Sequence, residues 1–415
     1  MHSTAAKQIA PLGRPIFFAT PRWHLSGVNT MTARLVRDLC AEGMDARFIF
    51  TDLQGREPSG SFLELGLPYV SLPIRPRLFS LGRQWKPLCN FLADRAPCVF
   101  VPNYDFAAAV VSSVLPSSVA IVGAIRSFDS VYFEQMDRLG AFWNRIVTVS
   151  DALRTKAVST CPHFAGKIRS IPNGINIRAE ESLENRSING PLRLVYTGRV
   201  SREQKRVFDL VYLAQTLQTR GVDFVLDVAG DGEDFKEFCG TVAHAGLGGR
   251  IIPHGRLGEN CINALYRKAH VFLLASEFEG MPNSMLEAMS WGCVPVCSQT
   301  RSGASEVIQH GINGFVVRIG VIERYADAIC ALRDSALWET VSRAARETVR
   351  TSYSMPSMLQ GWKGVLVEAI TEVESGTYVR PHEAMRYRPG HDPASSVLAS
   401  LRVKLGAFRR RGVRS

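Results

Sequence analysis

The sequence predicts an α/β protein with two parallel, helix-covered sheets, one in each half of the chain. Three observations predict it. Short apolar, β-branched or aromatic runs alternate with longer stretches of helical period, the pattern of successive βαβ units. The chain has 415 residues, more than one ordinary core accommodates at roughly 150 residues per domain. Hydrophobic residues make up 46% and charged residues 21%, which supplies large buried sheets and gives no signature of disorder.

In the first half, strands are expected over 16–20, 47–51, 98–101, 119–124 and 146–149. A helix over 30–42 joins the first two, with Leu35, Val36 and Leu39 as its apolar stripe and Gly43 where a helix-ending glycine belongs. The polar segment 178–190 is expected to be a hinge. Strands over 192–196, 224–229, 271–274, 294–298 and 315–317 then build the second sheet. Residues 326 to 373 read as helices separated near Pro356. The expected division is 1–185, 186–375 with terminal helices, and a basic tail from 376 to 415.

Charge and cysteine usage narrow the function classes. The formal net charge is +11, and from Gly376 onward nine Arg and Lys face two acids, so about seven of the excess charges sit in the tail. The body is only mildly basic, which argues against a nucleic-acid-binding core. Leu398, Leu401, Leu405 and Phe408 recur at helical spacing among those bases, the pattern of an amphipathic helix lying on an anionic membrane surface, although a solvated basic tail would look similar. No run reaches the ~20 apolar residues of a membrane span, and the first residues do not form a signal-peptide core, so the expected location is cytoplasmic, peripheral at the inner membrane face. Nine cysteines at irregular spacing read as reduced thiols packed as small hydrophobes. Cys293 and Cys297 lack the neighbouring ligands of a zinc site, and no metal is expected.

The most informative passage is Ala275-Ser-Glu-Phe-Glu-Gly-Met-Pro-Asn-Ser-Met-Leu-Glu-Ala-Met-Ser-Trp-Gly-Cys-Val-Pro-Val-Cys-Ser298. It follows a strand, turns at Gly280 and Pro282, and enters a helix near Asn283, which can cap it. Around the turn at Pro282, which itself has no N–H, Gly280, Met281, Asn283 and Ser284 present backbone N–H groups at the positive end of the helix dipole, a suitable seat for a diphosphate. Glu287, one turn in, can accept both hydroxyls of a ribose, and Glu279 in the loop can reach sugar hydroxyls. Two glutamates at this spacing are ordinarily solvated surface; the surrounding strand, turn, helix and Pro-containing strand point the other way.

This passage resembles the Glu-x7-Glu motif of family-four retaining glycosyltransferases of the GT-B fold, over some twenty positions in register. The resemblance implies two Rossmann-like domains facing each other across a cleft. It also implies a nucleoside-diphosphate sugar as donor substrate without a further cofactor, and a hydroxyl acceptor such as a lipid-linked or surface-polysaccharide glycan. In that family the first glutamate contacts the donor sugar and the second holds the nucleotide ribose, roles that carry over to Glu279 and Glu287. The segment Tyr196-Thr-Gly-Arg-Val-Ser-Arg-Glu-Gln-Lys205 resembles the family's Gly-Arg…Lys element, which assigns Arg199 and Lys205 to the diphosphate. Ile171-Pro-Asn-Gly-Ile175 resembles a cleft-wall turn near the hinge. Val228-Ala-Gly-Asp-Gly-Glu233 fails as a dinucleotide fingerprint because Phe235 stands where the third glycine belongs, and it is expected to be a donor-cleft loop.

The first domain departs from the family pattern. In place of a Gly-Gly loop after the first strand it has His24-Leu-Ser-Gly-Val28, which leaves Gly27 for close approach to the donor phosphates. Arg126, in Val122-Gly-Ala-Ile-Arg-Ser-Phe-Asp129, aligns with a histidine that many members hold near the reacting sugar. An arginine cannot serve as a base at neutral pH, though it can bind phosphate or acceptor. Either that position is never the base, or Asp129 or His24 takes part, or the activity is altered, in that order. A sugar-nucleotide epimerase, a glycan phosphorylase and a non-catalytic nucleotide-sugar-binding protein are the rival readings.

Overall fold

A computed structural model describes residues 13–24, 26–74, 81–177, 188, 190–300 and 303–381. Two parallel sheets account for its architecture. The first comprises β1 (Ile16–Thr20), β2 (Ala46–Phe50), β3 (Tyr69–Ser71), β4 (Cys98–Asn103), β5 (Val119–Ile125), β6 (Arg145–Thr148) and β7 (Ile168–Ser170), in the order 3-2-1-4-5-6-7. The second comprises β8 (Leu192–Thr197), β9 (Phe224–Ala229), β10 (Ile251–Gly255), β11 (Val271–Leu274), β12 (Val294–Ser298) and β13 (Phe315–Val317), in the order 10-9-8-11-12-13. Strands β1, β4, β5, β11 and β12 are buried along their whole length, as covering helices on both faces require.

Every strand expected from the sequence is present. Three more were not expected: β3, β7 and β10 are edge strands, where burial on one side relaxes the demand for apolar residues. Pro253 inside β10 is tolerated at an edge because no ladder bond needs its missing N–H. The first helix, Gly27–Ala41, starts three residues before the expected Thr30 because the Ser26 hydroxyl accepts from the Asn29 amide at 3.3 Å and caps it. Gly43 ends it at a φ of 80°, with the Met44 amide returning to the Leu39 carbonyl at 3.0 Å.

The order of strands reverses between β1 and β4 in the first sheet and between β8 and β11 in the second. In open parallel sheets these switch points leave a crevice at the carboxyl ends of the strands. Gly27 follows β1, Arg199 and Lys205 follow β8, and Glu279 follows β11, so topology alone brings the predicted motif residues to the two crevices.

The helical run after residue 326 breaks as expected, into Ser335–Ser352 and Met355–Glu374 with Pro356 in the first turn of the second helix. That last helix lies on the first sheet. Met358, Trp362, Leu366, Ala369 and Ile370 join one buried cluster with Phe18, Val99, Val101, Ala120 and Val122. Arg145 holds Glu368 at 2.7 Å and Glu372 at 2.6 Å. At the crossing, the Ile175 amide donates to the Tyr353 carbonyl at 2.7 Å and the Met355 amide to the Ile175 carbonyl at 3.1 Å. The expected hinge at 178–190 lies almost wholly outside the described residues, and the amphipathic segment beyond residue 393 lies wholly outside them. No described helix is long and apolar enough to cross a membrane.

Candidate functional site

The loops after β8 and β11 lie against each other. The Glu277 amide donates to the Gln204 carbonyl at 2.8 Å, and Arg206, at a φ of 49°, pairs with Asp209 at 2.9 Å and Glu277 at 3.3 Å. This zipper sets Lys205 beside Glu279. Their ammonium and carboxylate form an ion pair, and the same carboxylate oxygen accepts from the Ser276 hydroxyl at 2.7 Å. Glu279 is 8% exposed, so its charge is held by these partners while one face remains on the crevice.

Arg199 occupies the turn one residue beyond Gly198. Its carbonyl accepts from the buried Tyr196 hydroxyl at 2.6 Å, which fixes the backbone, while its exposed side chain makes no hydrogen bond or ion pair among the described residues. The Gly-Asp-Gly turn after β9 supports this loop from below. A Cβ on Gly230 would stand 1.7 Å from the Gly198 carbonyl oxygen, and the Val200 amide donates to the Asp231 carbonyl at 3.1 Å. The glycines of that turn therefore serve backbone-to-backbone approach.

The helix Asn283–Ser290 begins beside Glu279. The expectation that Asn283 caps it is corrected: Pro282 occupies the capping position without a side-chain bond, and Asn283 is the first helical residue. Its amide side chain is committed elsewhere, accepting from Asn173 Nδ2 at 2.7 Å and donating to the Gly27 carbonyl at 3.3 Å. The Pro-Asn-Gly turn, the loop after β1 and the start of the helix thus meet at one point. The Met285 and Leu286 amides return to the Pro282 carbonyl, and those of Asn283 and Ser284, as first-turn groups, have no intrahelical acceptor. Met281 is buried and Gly280 touches the opposite domain: a Cβ there would lie 2.1 Å from the Arg126 carbonyl oxygen.

Glu287 lies one turn into the helix and is met from across the crevice. Arg34, on the helix Gly27–Ala41, donates through Nη1 to Glu287 at 2.9 Å and lies 3.5 Å from Glu259 through Nη2. Arg34 and Ser276 were not expected. The available signal for Arg34 was a charge inside the otherwise buried run from Met31 to Val36; Ser276 carries no such signal.

Arg126 and the two residues weighed as taking part in its place, Asp129 and His24, separate in the structure. His24 is exposed, with its ring 6.1 Å from that of Tyr104. Asp129 is exposed and accepts from the Ser127 hydroxyl. Arg126 is buried at the tip of β5, and desolvation lowers its pKa to about 10, so it stays a cation at neutral pH. Beside Glu279, a cavity of about 380 Å³ is lined by Phe128, Phe278, Gln299, Thr300 and Ile319. Among the described residues no group of three His, Cys, Asp or Glu side chains is placed to hold a metal ion.

Residues 178–348 match the family model described as Glycosyl transferases group 1. Lipopolysaccharide 1,6-galactosyltransferase of Escherichia coli K12 is 34% identical over 131 residues, 31% of this chain and 36% of that protein. GDP-mannose:cellobiosyl-diphosphopolyprenol alpha-mannosyltransferase of Xanthomonas campestris is 25% identical over 321 residues, 66% of this chain and 82% of that one. The chain thus spans little more than a third of the first relative's length. Among solved structures, Anabaena Alr3699/HepE in complex with UDP and glucose superposes with a TM-score of 0.71 at 17% identity, covering 85% of this chain and 99% of that one. The fold is accordingly GT-B, two Rossmann-like units facing each other across a crevice.

Proposed function

We propose that this chain, whose residues 178–348 match the glycosyl transferases group 1 family, moves a sugar from a nucleoside diphosphate to a hydroxyl of a glycan or glycolipid acceptor with retention of anomeric configuration. The observation that carries the reading is the Lys205–Glu279–Ser276 cluster at the β8/β11 switch point, flanked by the uncommitted Arg199 and the helix start at Asn283.

In this reading the donor diphosphate lies against the Asn283 and Ser284 amides, with Arg199 and Lys205 at its sides. Breaking the bond to the sugar builds negative charge on the departing diphosphate. Cations and amides already aimed at that position lower the energy of the transition state more than that of the bound donor. Lys205 is neutralised by Glu279 before the donor arrives, so it exchanges part of that pairing for phosphate, and the released Glu279 oxygen is available to sugar hydroxyls. Glu287 turns from Arg34 to the ribose hydroxyls, or shares itself between them. Domain closure holds the acceptor hydroxyl on the face of the sugar that the diphosphate leaves, so that the new bond forms on the side of the broken one and the hydroxyl proton passes to the departing diphosphate.

Two features support a lipid-linked or surface-polysaccharide acceptor. The relatives named above act on lipopolysaccharide and on a diphosphopolyprenol, and the tail carries the basic amphipathic pattern of a membrane-surface segment, which fits a peripheral position on an anionic membrane facing the cytoplasm. The test is thermal unfolding of the full chain with UDP, GDP, ADP and their sugars. One nucleotide should raise the midpoint, with Glu287→Ala and Lys205→Ala each weakening its binding by about tenfold or more, the cost of a lost charged hydrogen bond. Unchanged affinity in both variants would refute the site.

A further inference from the structure

Arg126 stands at the junction of both domains. Its backbone carbonyl faces Gly280 so closely that a Cβ there would lie 2.1 Å away, so its backbone abuts the loop that carries Glu279. Its side chain is fixed from one side. Nε donates to Asn103 Oδ1 at 3.2 Å, Asn103 Nδ2 donates to the Thr32 hydroxyl at 3.1 Å, and that hydroxyl donates to the Val28 carbonyl at 2.8 Å, in the first turn of the helix that begins at Gly27. Asn103 adopts a φ of 53°, and it is 5% exposed.

What this framework holds is an unbalanced cation. Arg126 is 8% exposed, and its Nη2 is buried without a hydrogen-bond partner. Among the described residues no Asp or Glu pairs with it; the neighbour that bears on its charge is the Tyr132 phenol. The Trp362 ring, 5.5 Å from its Cζ, offsets a fraction of the desolvation cost, and a ring supplies no acceptor for the in-plane N–H groups. A buried guanidinium with a free donor calls for an anionic oxygen, which its planar fork is shaped to grip.

We propose that Arg126 is an anion-binding residue of the crevice, taking a carboxylate or phosphate oxygen that the substrate carries beside the transferred sugar. The proposal rests on the crevice being the donor site. The anion has two sources: a carboxylate on an acidic donor sugar, or a phosphate on the acceptor. A purely structural arginine, held by Asn103 and Trp362, would affect folding and leave ligand preference alone.

The experiment is calorimetric titration of the full chain, wild type, Arg126→Gln and Arg126→Lys, with unfolding midpoints recorded alongside. One arm compares UDP-glucuronate with UDP-glucose; the other titrates inorganic phosphate into protein saturated with UDP. The expected result is at least a tenfold preference for UDP-glucuronate, or saturable phosphate binding, in the wild type. Arg126→Gln should lose it at least tenfold and Arg126→Lys in part, while UDP affinity stays within about twofold. The first arm points to the donor as source, the second to the acceptor. A folded Arg126→Gln that keeps the wild-type preference overturns the proposal. So does a wild type showing neither preference nor phosphate binding, whatever the variants do. If UDP does not bind at all, GDP and ADP take its place in both arms. Failure of all three sinks the donor reading, and phosphate titrated into the free chain then decides for or against Arg126 separately.

Discussion

At the scale of single residues, the crevice is built from charges whose partners are chosen by the fold. Lys205 and Glu279 neutralise each other, Glu287 is met by Arg34, and Arg126 has no carboxylate partner among the described residues. The predicted motif residues were legible because their spacing places them at strand ends; their partners were not, because a partner across the crevice lies far away in sequence. Asp105 shows a second kind of buried charge. Desolvation raises its pKa from 3.8 to about 6, against hydrogen bonds from the Thr51 hydroxyl and, at 3.0 Å, from the Ala108 amide. The folded protein binds this proton more tightly than the unfolded chain, so the contribution is fully present below pH 3.8 and is lost as pH rises through about 6. The shift corresponds to about 3 kcal/mol at most. Relative to Asp105→Asn, the wild type should lose stability between pH 4 and pH 6.5 in urea denaturation; parallel curves for the two proteins would contradict the assignment.

At the scale of elements, the strands buried on both faces announce themselves as apolar runs, and three of the four edge strands do not; β13, the fourth, was readable from Phe315, Val316 and Val317. β3, β7 and β10 need partners to be recognised, since Ser71, Arg169, Ser170, Pro253 and His254 interrupt their short apolar runs. The helix Met355–Glu374 illustrates the other limit. Its period and its start at Pro356 are local and were readable; the sheet it covers is set by the crossing at Ile175 and Tyr353, which no local pattern encodes. Leu366, fully buried against the first sheet, measures this packing. Leu366→Ala should cost about 2–5 kcal/mol of unfolding free energy and leave nucleotide affinity of the folded protein unchanged. A large loss of affinity without loss of stability would mean that the helix acts on the site directly.

At the scale of the molecule, the polar contacts between the two sheet-bearing units include Arg34 with Glu287 and Glu259, Asn283 with Gly27 and Asn173, and Glu306 with the helix Asp151–Thr160, while Gly280 lies close against Arg126. The Glu306 carboxylate accepts from the Asp151 amide at 2.9 Å and from the Ala152 amide, a favourable place for a negative charge at a helix start. Polar contacts made by loops and helix ends, as these are, predict relative motion of the units. Glu306→Ala should show a larger radius of gyration than wild type in X-ray scattering without nucleotide, and the difference should shrink when the nucleotide is added. Identical profiles throughout would show that this contact does not hold the units together.

The central claim is that the crevice breaks the bond between a sugar and a nucleoside diphosphate, and slow hydrolysis of the donor by water reports on it without knowledge of the acceptor. The protein is incubated with the sugar nucleotide that stabilises it most, and the released sugar is followed by NMR before it mutarotates. The account predicts release of the nucleoside diphosphate together with sugar of the donor's own anomeric configuration, slowed by ~10²-fold or more in Lys205→Ala. Inverted sugar would contradict retention, and release at the wild-type rate in Lys205→Ala would contradict the site itself.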